Sequence, residues 1–183
     1  MPPKLRTAPR TTRPILPDYL RPGLDVVFVG ANPGLVSAEK GHYYAKKGNL
    51  FWPLLHDSGL VNEELSPADD CRVNKFRIGL TDLVQRATAG VSDLSPQEMA
   101  AGAGRLRDKL RRHRPRVVCF NGKAIAETFL GGRCALGLQP ERWEGLPVFV
   151  MPSTSARTAS YQRADKLRFF RELKGIVDRE ASS

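Results

Sequence analysis

Short apolar segments alternate with amphipathic ones along most of this chain. Segments 26–29, 116–120 and 146–150 are dominated by Val, Leu and Phe, and each is only four or five residues long. Apolar runs of this length are typical of strands that are buried on both faces. Segment 76–84 is also short and largely apolar, and it predicts a further strand that ends in a turn.

Helical spacing of apolar residues occupies the stretches around these strands. Helices are predicted over 49–59, from Ser95 to about His113, from Lys123 to about Phe129, and over Arg163–Arg179. The second has the clearest start, because Pro96 follows Ser95 and Glu98 can close a capping box with it. Segment 66–75 is polar and is predicted to be irregular. Strands that alternate with helices imply βαβ units, and therefore an α/β fold with a mainly parallel central sheet.

The first predicted strand runs into the turn Gly30–Gly34, which holds Asn32 between glycines and beside a proline. In open α/β sheets, ligands bind in the crevice at the carboxyl ends of the strands. Asn32 therefore lies where a polar side chain can take part in chemistry. Asn, Pro and Gly are also ordinary turn formers, so this segment taken alone favours a structural turn.

The charge of the chain points to a polyanionic partner. With 183 residues the chain fits one domain, and its formal net charge of +10 is typical of proteins that meet phosphates. Residues 1–15 carry four basic residues, no acidic residue and several prolines, and they are predicted to form a disordered basic arm before a single domain at 16–183. A solubility tail and a DNA-touching arm explain this segment equally well.

The sequence contains no feature of a membrane protein. No apolar run approaches the roughly 18 residues of a membrane-spanning helix, and the N-terminus lacks the apolar stretch of a signal peptide. We expect a soluble intracellular protein with no membrane partner. Its expected location is cytoplasmic and nucleoid-associated in a bacterium, or nuclear in a eukaryote.

Several cofactor classes are disfavoured. Cys71, Cys119 and Cys134 form no CxxC pair, and only three histidines are present, so neither a zinc site, an iron–sulfur cluster nor a histidine-based metal centre is expected. No GxxxxGK[ST] loop occurs and no GxGxxG follows a strand, which disfavours a nucleotide hydrolase or a dinucleotide oxidoreductase. We expect no cofactor.

Two further strand ends carry groups that suit a phosphate. Gly122 and Lys123 precede a helix, whose first N–H groups can bind an anion. Residues 153–155 offer three hydroxyl groups, with Arg157 close behind. Helix capping explains the hydroxyl groups equally simply, and Lys123 can be an ordinary surface charge. Their coincidence with Asn32 on one sheet edge of a basic protein favours a phosphate-binding edge.

Five segments together resemble the mismatch-specific uracil-DNA and thymine-DNA glycosylase family of the uracil-DNA glycosylase superfamily. They occur in family order: Gly30–Gly34, Lys40–Tyr44 with Gly48–Trp52, Gly79–Val84, Phe120–Lys123 and Met151–Arg157. The resemblance implies a three-layer αβα sandwich. It also implies a monomeric, monofunctional DNA glycosylase acting in base excision repair. Such an enzyme flips uracil, thymine or a modified pyrimidine out of a G:U or G:T mismatch in double-stranded DNA and hydrolyses its N-glycosidic bond.

The resemblance also implies roles for individual residues. Asn32 would position the attacking water, and Tyr44 would stack on the flipped base, within a pocket that includes Gly30, Ala31 and Asn49. The DNA-binding residues it implies fall into three groups: Gly122 and Lys123 at a phosphate, Ser153 as a phosphate-gripping hydroxyl, and Thr154, Ser155, Ala156 and Arg157 as the wedge that fills the vacated space, with Arg157 as the plug.

A carboxylate could assist Asn32, since an amide can orient water but cannot remove its proton. The acids in pocket-lining loops are Asp82, where the family usually has an amide or lysine, and Asp93, which the Ser95-capped helix does not need as its cap. A solvated loop acid or an ion pair with Arg86 explains either residue equally well.

Two other functions remain compatible with the sequence. The same scaffold could be a non-catalytic module that binds mismatches or free uracil, or the chain could be an unrelated α/β phosphate-binding enzyme. No lysine lies in the Gly30–Gly34 turn, so Schiff-base lyase chemistry is not expected.

Overall fold

The fold is built on a five-stranded sheet, seen in a computed structural model that describes residues 16–183. Its strands are β1 Val26–Gly30, β2 Ile78–Asp82, β3 Val117–Asn121, β4 Gly137–Leu138 and β5 Val148–Met151. Their order is β2-β1-β3-β5-β4, and all neighbours pair in parallel except β4, which is antiparallel to β5. The predicted mainly parallel sheet is confirmed. The predicted arm at residues 1–15 lies outside the described residues.

The described residues form five α-helices, four of which lie between strands while the fifth follows β5: α1 Leu35–Lys40, α2 Phe51–Asp57, α3 Pro96–His113, α4 Lys123–Leu130 and α5 Arg163–Ala181. Four were predicted from apolar spacing, and α3 begins with the expected capping box between Ser95 and Glu98. The six-residue α1 and the two-residue β4 were not predicted, because neither is long enough to show a periodic pattern. No helix within 16–183 is long and apolar enough to cross a membrane.

The prediction of an irregular segment at 66–75 is wrong. Residues Pro67–Phe76 form a 3-10 helix, whose start Asp69 caps: the Asp69 carboxylate accepts from the Ser66 amide at 2.9 Å and from the Ser66 hydroxyl at 2.7 Å. Local side-chain capping, rather than an apolar stripe, stabilises this element.

Alternate residues of the buried strands point to two separate cores. Val26 and Phe28 pack with α2 and α5 on one face, and Val27 and Val29 pack with α3 and α4 on the other. All five residues of β1 are buried, as the continuous apolar run predicts. Helices on both faces of one sheet make the expected three-layer αβα sandwich, which is confirmed.

The carboxyl ends of the parallel strands meet at one edge, where the polar loops converge. Pairing between the first two strands continues beyond β2, because the Leu83 amide donates to Gly30 O at 2.8 Å and the Val84 amide to Ala31 O at 2.9 Å. This extension fixes the Gly30–Gly34 turn against the segment that follows Asp82. The turn is therefore a rigid platform rather than a free loop.

Candidate active site at the carboxyl edge of the sheet

A cavity of about 570 Å³ opens at this edge. Its volume falls in the range of pockets that hold small molecules. The predicted site residues that line it are Gly30, Ala31, Asn32, Tyr44, Asn49, Asp82, Gly122, Lys123, Ser153, Thr154, Ser155 and Arg157. Two predicted site residues, Asp93 and Ala156, do not line it.

The Asn32 amide has an orientation that its partners determine. Its Nδ2 atom donates to Arg86 O at 2.8 Å, to Thr88 Oγ1 at 2.7 Å and, more weakly, to Pro33 O at 3.3 Å. Backbone carbonyls can only accept, so the nitrogen and the oxygen of this amide cannot be exchanged. Thr88 Oγ1 in turn donates to Gly90 O at 2.7 Å, which leaves it as an acceptor for Asn32.

The Asn32 Oδ1 atom is consequently available. It accepts no hydrogen bond from any residue of 16–183, and Asn32 lines the cavity. When the nitrogen of an amide is fixed by hydrogen bonds and its oxygen is unpaired, the oxygen can accept a hydrogen bond from a water molecule. That bond orients the lone pair of the water. This arrangement suits the water-positioning role that the resemblance implies.

The Asp82 carboxyl group lies over the end of β1. A Cβ atom built on Gly30 would come 2.3 Å from Asp82 Oδ1 and 3.3 Å from the Tyr44 hydroxyl oxygen. Any side chain at position 30 would therefore displace both groups. Asp82 is 6% exposed, and burial, followed by the nearby charge of Asp18, raises its pKa to about 8, while Lys109 acts in the opposite direction.

A carboxyl group with this pKa changes charge close to neutral pH. Within the described residues it forms no ion pair, and Arg86, the alternative partner, binds Glu98 at 2.6 Å instead. A raised pKa on a cavity-lining acid without an ion-pair partner is a feature of groups that transfer protons. The geometry therefore distinguishes Asp82 from a solvated loop acid.

Asp93 has a different role from the one predicted. Its carboxylate accepts from the Gly90 amide at 3.0 Å and caps the single 3-10 turn Val91–Asp93. It is exposed and lies outside the cavity lining. The expectation that Asp93 is free because Ser95 caps α3 is wrong, since Asp93 caps the preceding turn.

Tyr44 forms an aromatic wall of the cavity. Its ring stacks on Phe51 with centroids 4.1 Å apart and planes 27° apart. Burial, then the charge of Asp82, raises the pKa of the Tyr44 hydroxyl, which keeps it protonated. Asn49 lies nearby in the lining, and its Oδ1 accepts from the Phe51 amide at 2.9 Å. Asn49 Oδ1 thus supports the start of α2, and its Nδ2 donates to no residue of 16–183.

Thr154 anchors the predicted wedge segment 153–157 to the end of β3. The Thr154 amide donates to Asn121 Oδ1 and Asn121 Nδ2 donates to Thr154 Oγ1, each at 2.9 Å. Thr154 is fully buried, so the structure contradicts its assignment as a DNA-contacting residue. It instead joins the end of β3 to the loop after β5, and the buried Lys166 adds a bond to Ser155 O at 3.1 Å.

The outer part of this segment presents groups that can meet a phosphate. Ser153 Oγ accepts from the Ser155 amide at 3.2 Å and Ser155 Oγ from the Arg157 amide at 3.3 Å, so neither hydroxyl hydrogen is used within the described residues. Arg157 is exposed, and its Nη1 donates to Ala89 O at 2.8 Å. Ala156 is exposed beside Gly48, 3.5 Å from where a Cβ atom at that position would lie.

The start of α4 contributes the other side of the rim. Gly122 has φ 136°, a conformation that favours glycine, and it lets the chain turn directly from β3 into the helix. Lys123 is about half exposed and lies 3.8 Å from Glu127, so this ion pair is loose. Its charge and the first N–H groups of α4 can act together on an anion.

Two residues with structural roles at this edge were given no role by the sequence analysis: Thr88, which was not singled out, and Asn121, which lies in the resembling segment Phe120–Lys123. Thr88 supports the Asn32 amide, and Asn121 fastens the 153–157 segment through Thr154. Thr88 lies 56 residues from Asn32, and Asn121 lies 33 residues from Thr154. Contacts over such separations leave no local pattern, although the position of Asn121 at a strand end was a usable signal. Within 16–183, no group of three or more His, Cys, Asp or Glu side chains could hold a metal ion.

Comparison with known proteins identifies the family of this chain. The sequence model of the Uracil DNA glycosylase superfamily matches residues 17–174. A G/U mismatch-specific uracil DNA glycosylase from Schizosaccharomyces pombe is 34% identical over 180 residues, which cover 90% of this chain and 54% of that protein. The chain thus spans about half the length of this relative.

A solved structure supports the fold. The solution NMR structure of a candidate uracil DNA glycosylase from Methanosarcina acetivorans superposes with a TM-score of 0.57. The likeness covers 88% of this chain and 98% of that one, at 21% sequence identity. Because the superfamily match extends over most of the sequence, the chain belongs to the uracil DNA glycosylase superfamily.

Proposed function

We propose that this protein is a DNA glycosylase that hydrolyses the N-glycosidic bond of uracil paired with guanine in double-stranded DNA. The observation that carries the proposal is that the unused Oδ1 atom of Asn32 and the Asp82 carboxyl group line one cavity with the stacked Tyr44 ring. The name of the S. pombe relative supports the choice of base and mismatch.

The first step is to bring the base into the cavity. A base inside a duplex is inaccessible, so it must be flipped out, at a cost of a few kcal/mol that is lowest at a mismatch. Stacking on Tyr44 would return about 1–3 kcal/mol of that cost. Thymine and modified pyrimidines in G:T and related mismatches are part of the proposal, because the resemblance to the mismatch-specific family implies them.

Hydrolysis then uses one water molecule. Asn32 Oδ1 accepts a hydrogen bond from the water and directs its oxygen toward C1′ of the sugar. The bond between C1′ and the base breaks, its electron pair leaves with the uracil anion, and the water oxygen bonds to the oxocarbenium-like C1′. Asp82, as a carboxylate, takes the water proton. Peptide N–H groups of the Gly30–Gly34 turn would stabilise the leaving anion.

The rim would hold the DNA backbone and fill the gap left by the base. The free hydroxyl hydrogens of Ser153 and Ser155, the Lys123 ammonium group and the start of α4 supply phosphate contacts. Arg157 would enter the duplex once its bond to Ala89 O opens. Both steps are consistent with a monomer that acts in base excision repair.

The reaction is proposed to be monofunctional, ending at an abasic site. No lysine occurs in the Gly30–Gly34 turn, although Lys46 and Lys123 line the cavity. Borohydride reduction during turnover tests this point, because a Schiff base between either lysine and the sugar would be trapped as a covalent complex. We expect no trapped complex.

One assay separates the proposal from its alternatives. A labelled duplex with a single G:U pair is incubated with the protein and then treated with alkali, which cleaves abasic sites. Strand cleavage at the uracil position is the expected result. Tight binding of the mismatch without cleavage would indicate the non-catalytic module. If the duplex is neither cleaved nor bound preferentially, the remaining alternative is an unrelated α/β phosphate-binding enzyme.

A further inference from the structure

Tyr44 has a backbone conformation that few residues other than glycine adopt. Its φ of 54° lies in the left-handed region, and such a residue keeps this conformation only when its surroundings hold it. Its hydroxyl oxygen is buried without a hydrogen-bond partner in the described part of the chain. The side chain therefore relies on packing against Phe51, and the backbone around it decides where the ring lies.

Three hydrogen bonds fix the residues on either side of Tyr44. Both backbone polar groups of Tyr43 are bound, since Asp70 Oδ2 accepts from its amide at 3.0 Å and Trp52 Nε1 donates to its carbonyl at 3.0 Å. The Ala45 amide donates to Ser37 Oγ at 3.0 Å. These contacts come from three different elements and converge on the segment 43–45.

Asp70 is the only carboxylate in this set and is almost fully buried, at 1% exposure. Its Oδ1 atom accepts from the Tyr19 hydroxyl at 3.0 Å and lies 3.2 Å from His42 Nδ1. Burial of a carboxylate is costly unless both oxygens are hydrogen-bonded, so this position is built around its partners. Asp70 belongs to the 3-10 helix Pro67–Phe76 and does not line the cavity.

We propose that Asp70 is a positioning residue for the base pocket: it holds segment 42–45 so that the Tyr44 ring forms the surface on which the flipped base stacks. This inference rests on the proposed glycosylase function. Asp70 acts through Tyr43 and Tyr44 and touches neither the base nor the sugar. Its role differs from simple stabilisation, because its effect on catalysis must pass through the Tyr44 ring.

A double-mutant cycle tests this path. Asp70→Asn, Tyr44→Ala and the double variant are compared in single-turnover excision of uracil from a G:U duplex. Asp70→Asn should lower the rate about fivefold, the factor that one lost hydrogen bond of ordinary strength represents. It should have no further effect when Tyr44 is already Ala. Binding to a duplex with a tetrahydrofuran abasic analogue should be unchanged, because no base then occupies the pocket.

The control variant is Tyr19→Phe. It removes one bond to Asp70 but leaves the bond between Asp70 Oδ2 and the Tyr43 amide, so its excision rate should stay near that of the parent protein. Equal slowing by Asp70→Asn in both Tyr44 backgrounds would overturn the proposal, as would an equal loss of affinity for the abasic duplex. Asp70→Glu replaces Asp70→Asn in the cycle if the latter does not fold.

A second readout is independent of activity. In a Trp143→Phe background, Trp52 is the sole tryptophan, and its Nε1 reports directly on the Tyr43 carbonyl. Asp70→Asn should shift its emission, and an unchanged spectrum would overturn the proposal. If the parent protein excises no uracil, the proposed function fails, whereas this spectrum still shows whether Asp70 holds the segment.

Discussion

At the residue scale, the site depends on two neighbouring strand ends that contribute different groups, an amide and a carboxyl group. Asn32, after β1, has its amide nitrogen occupied and its oxygen free, which suits orientation of water. Asp82, at the end of β2, is buried with a pKa of about 8, which suits removal of a proton in mildly alkaline solution. Gly30 makes this pairing possible, because a Cβ atom there would collide with Asp82.

The pH dependence of excision follows from Asp82. Its carboxylate, the form that can accept the water proton, dominates only above its pKa, so the single-turnover rate should rise between pH 6 and pH 9 with a midpoint near 8. Asp82→Asn should be slower by roughly 10²-fold, as is typical when a general base is removed, and should lose this rise. A profile of the parent protein that is flat over this range would contradict the role of Asp82.

The free energy of unfolding should fall as the pH rises, in contrast to the excision rate. In the unfolded chain Asp82 ionises near 3.8, whereas burial raises its pKa in the folded protein, so its ionisation costs stability as the pH rises from about 4 to 8. Asp82→Asn should therefore have the higher free energy of unfolding, by a margin that grows over this range and then levels off. Denaturant unfolding at several pH values measures it. Asp108→Asn, at a side chain 79% exposed, is the control for removal of a carboxylate from the surface.

At the element scale, hydrogen bonds hold the 153–157 segment at two points, Thr154 and Arg157. Thr154 is clasped by Asn121 on β3, while Arg157 reaches the loop that follows β2 through Ala89 O. The first part of the segment is buried at Thr154, which explains why the three hydroxyl groups of residues 153–155 do not all face a ligand. Ser153 and Ser155 are partly exposed and can donate to a ligand, whereas the Thr154 hydroxyl is fully buried and accepts from Asn121 Nδ2.

Replacing Arg157 should impair duplex substrates selectively. In the proposed mechanism the Arg157 side chain fills the space left by the flipped base, so Arg157→Ala should lower excision from a G:U duplex about tenfold. Uracil in single-stranded DNA leaves no gap to fill, so its excision should be affected little. Single-turnover rates on both substrates measure this. Arg105→Ala, on the exposed face of α3 and outside the cavity, removes the same charge as a control. An equal loss on both substrates would argue against the plug.

Whether the sequence predicts a given feature of this molecule depends on how far apart along the chain the interacting residues lie. The β1 run and the Ser95 capping box are local, and both elements were predicted. The strand-end position of Asn32 also follows from the pattern, because parallel strands align their carboxyl ends. Asp93 was misassigned because a single 3-10 turn has no periodic signal, and Thr154 because its partner Asn121 is distant in sequence.

At the scale of the whole molecule, charge and site geometry point to the same partner. The net charge of +10 is a property of the entire chain, whereas the cavity lies at one edge of the sheet. A basic surface gives affinity for any duplex and accelerates encounter, and in the proposed function the cavity selects the base. The two contributions should separate in their dependence on salt.

Affinity for duplex DNA should fall steeply with salt concentration. The slope of log K against log salt is about −0.9 per phosphate contact, so removing the Lys123 charge in Lys123→Ala should flatten it by about one. Deleting residues 1–15 tests the predicted arm in the same way, and a DNA-touching arm would flatten the slope further. A slope that is unchanged by the deletion would identify the segment as a solubility tail.

The most direct test of the central claim is the excision rate of Asn32→Ala. Parent and variant, each in saturating excess over a G:U duplex, are compared under single-turnover conditions, with binding to an abasic duplex as the check on folding. If Asn32 Oδ1 orients the attacking water, the rate should fall by about 10²-fold or more while abasic binding is retained, as for other pre-organised polar groups at reacting centres. An Asn32→Ala rate within a few-fold of the parent rate would contradict the account.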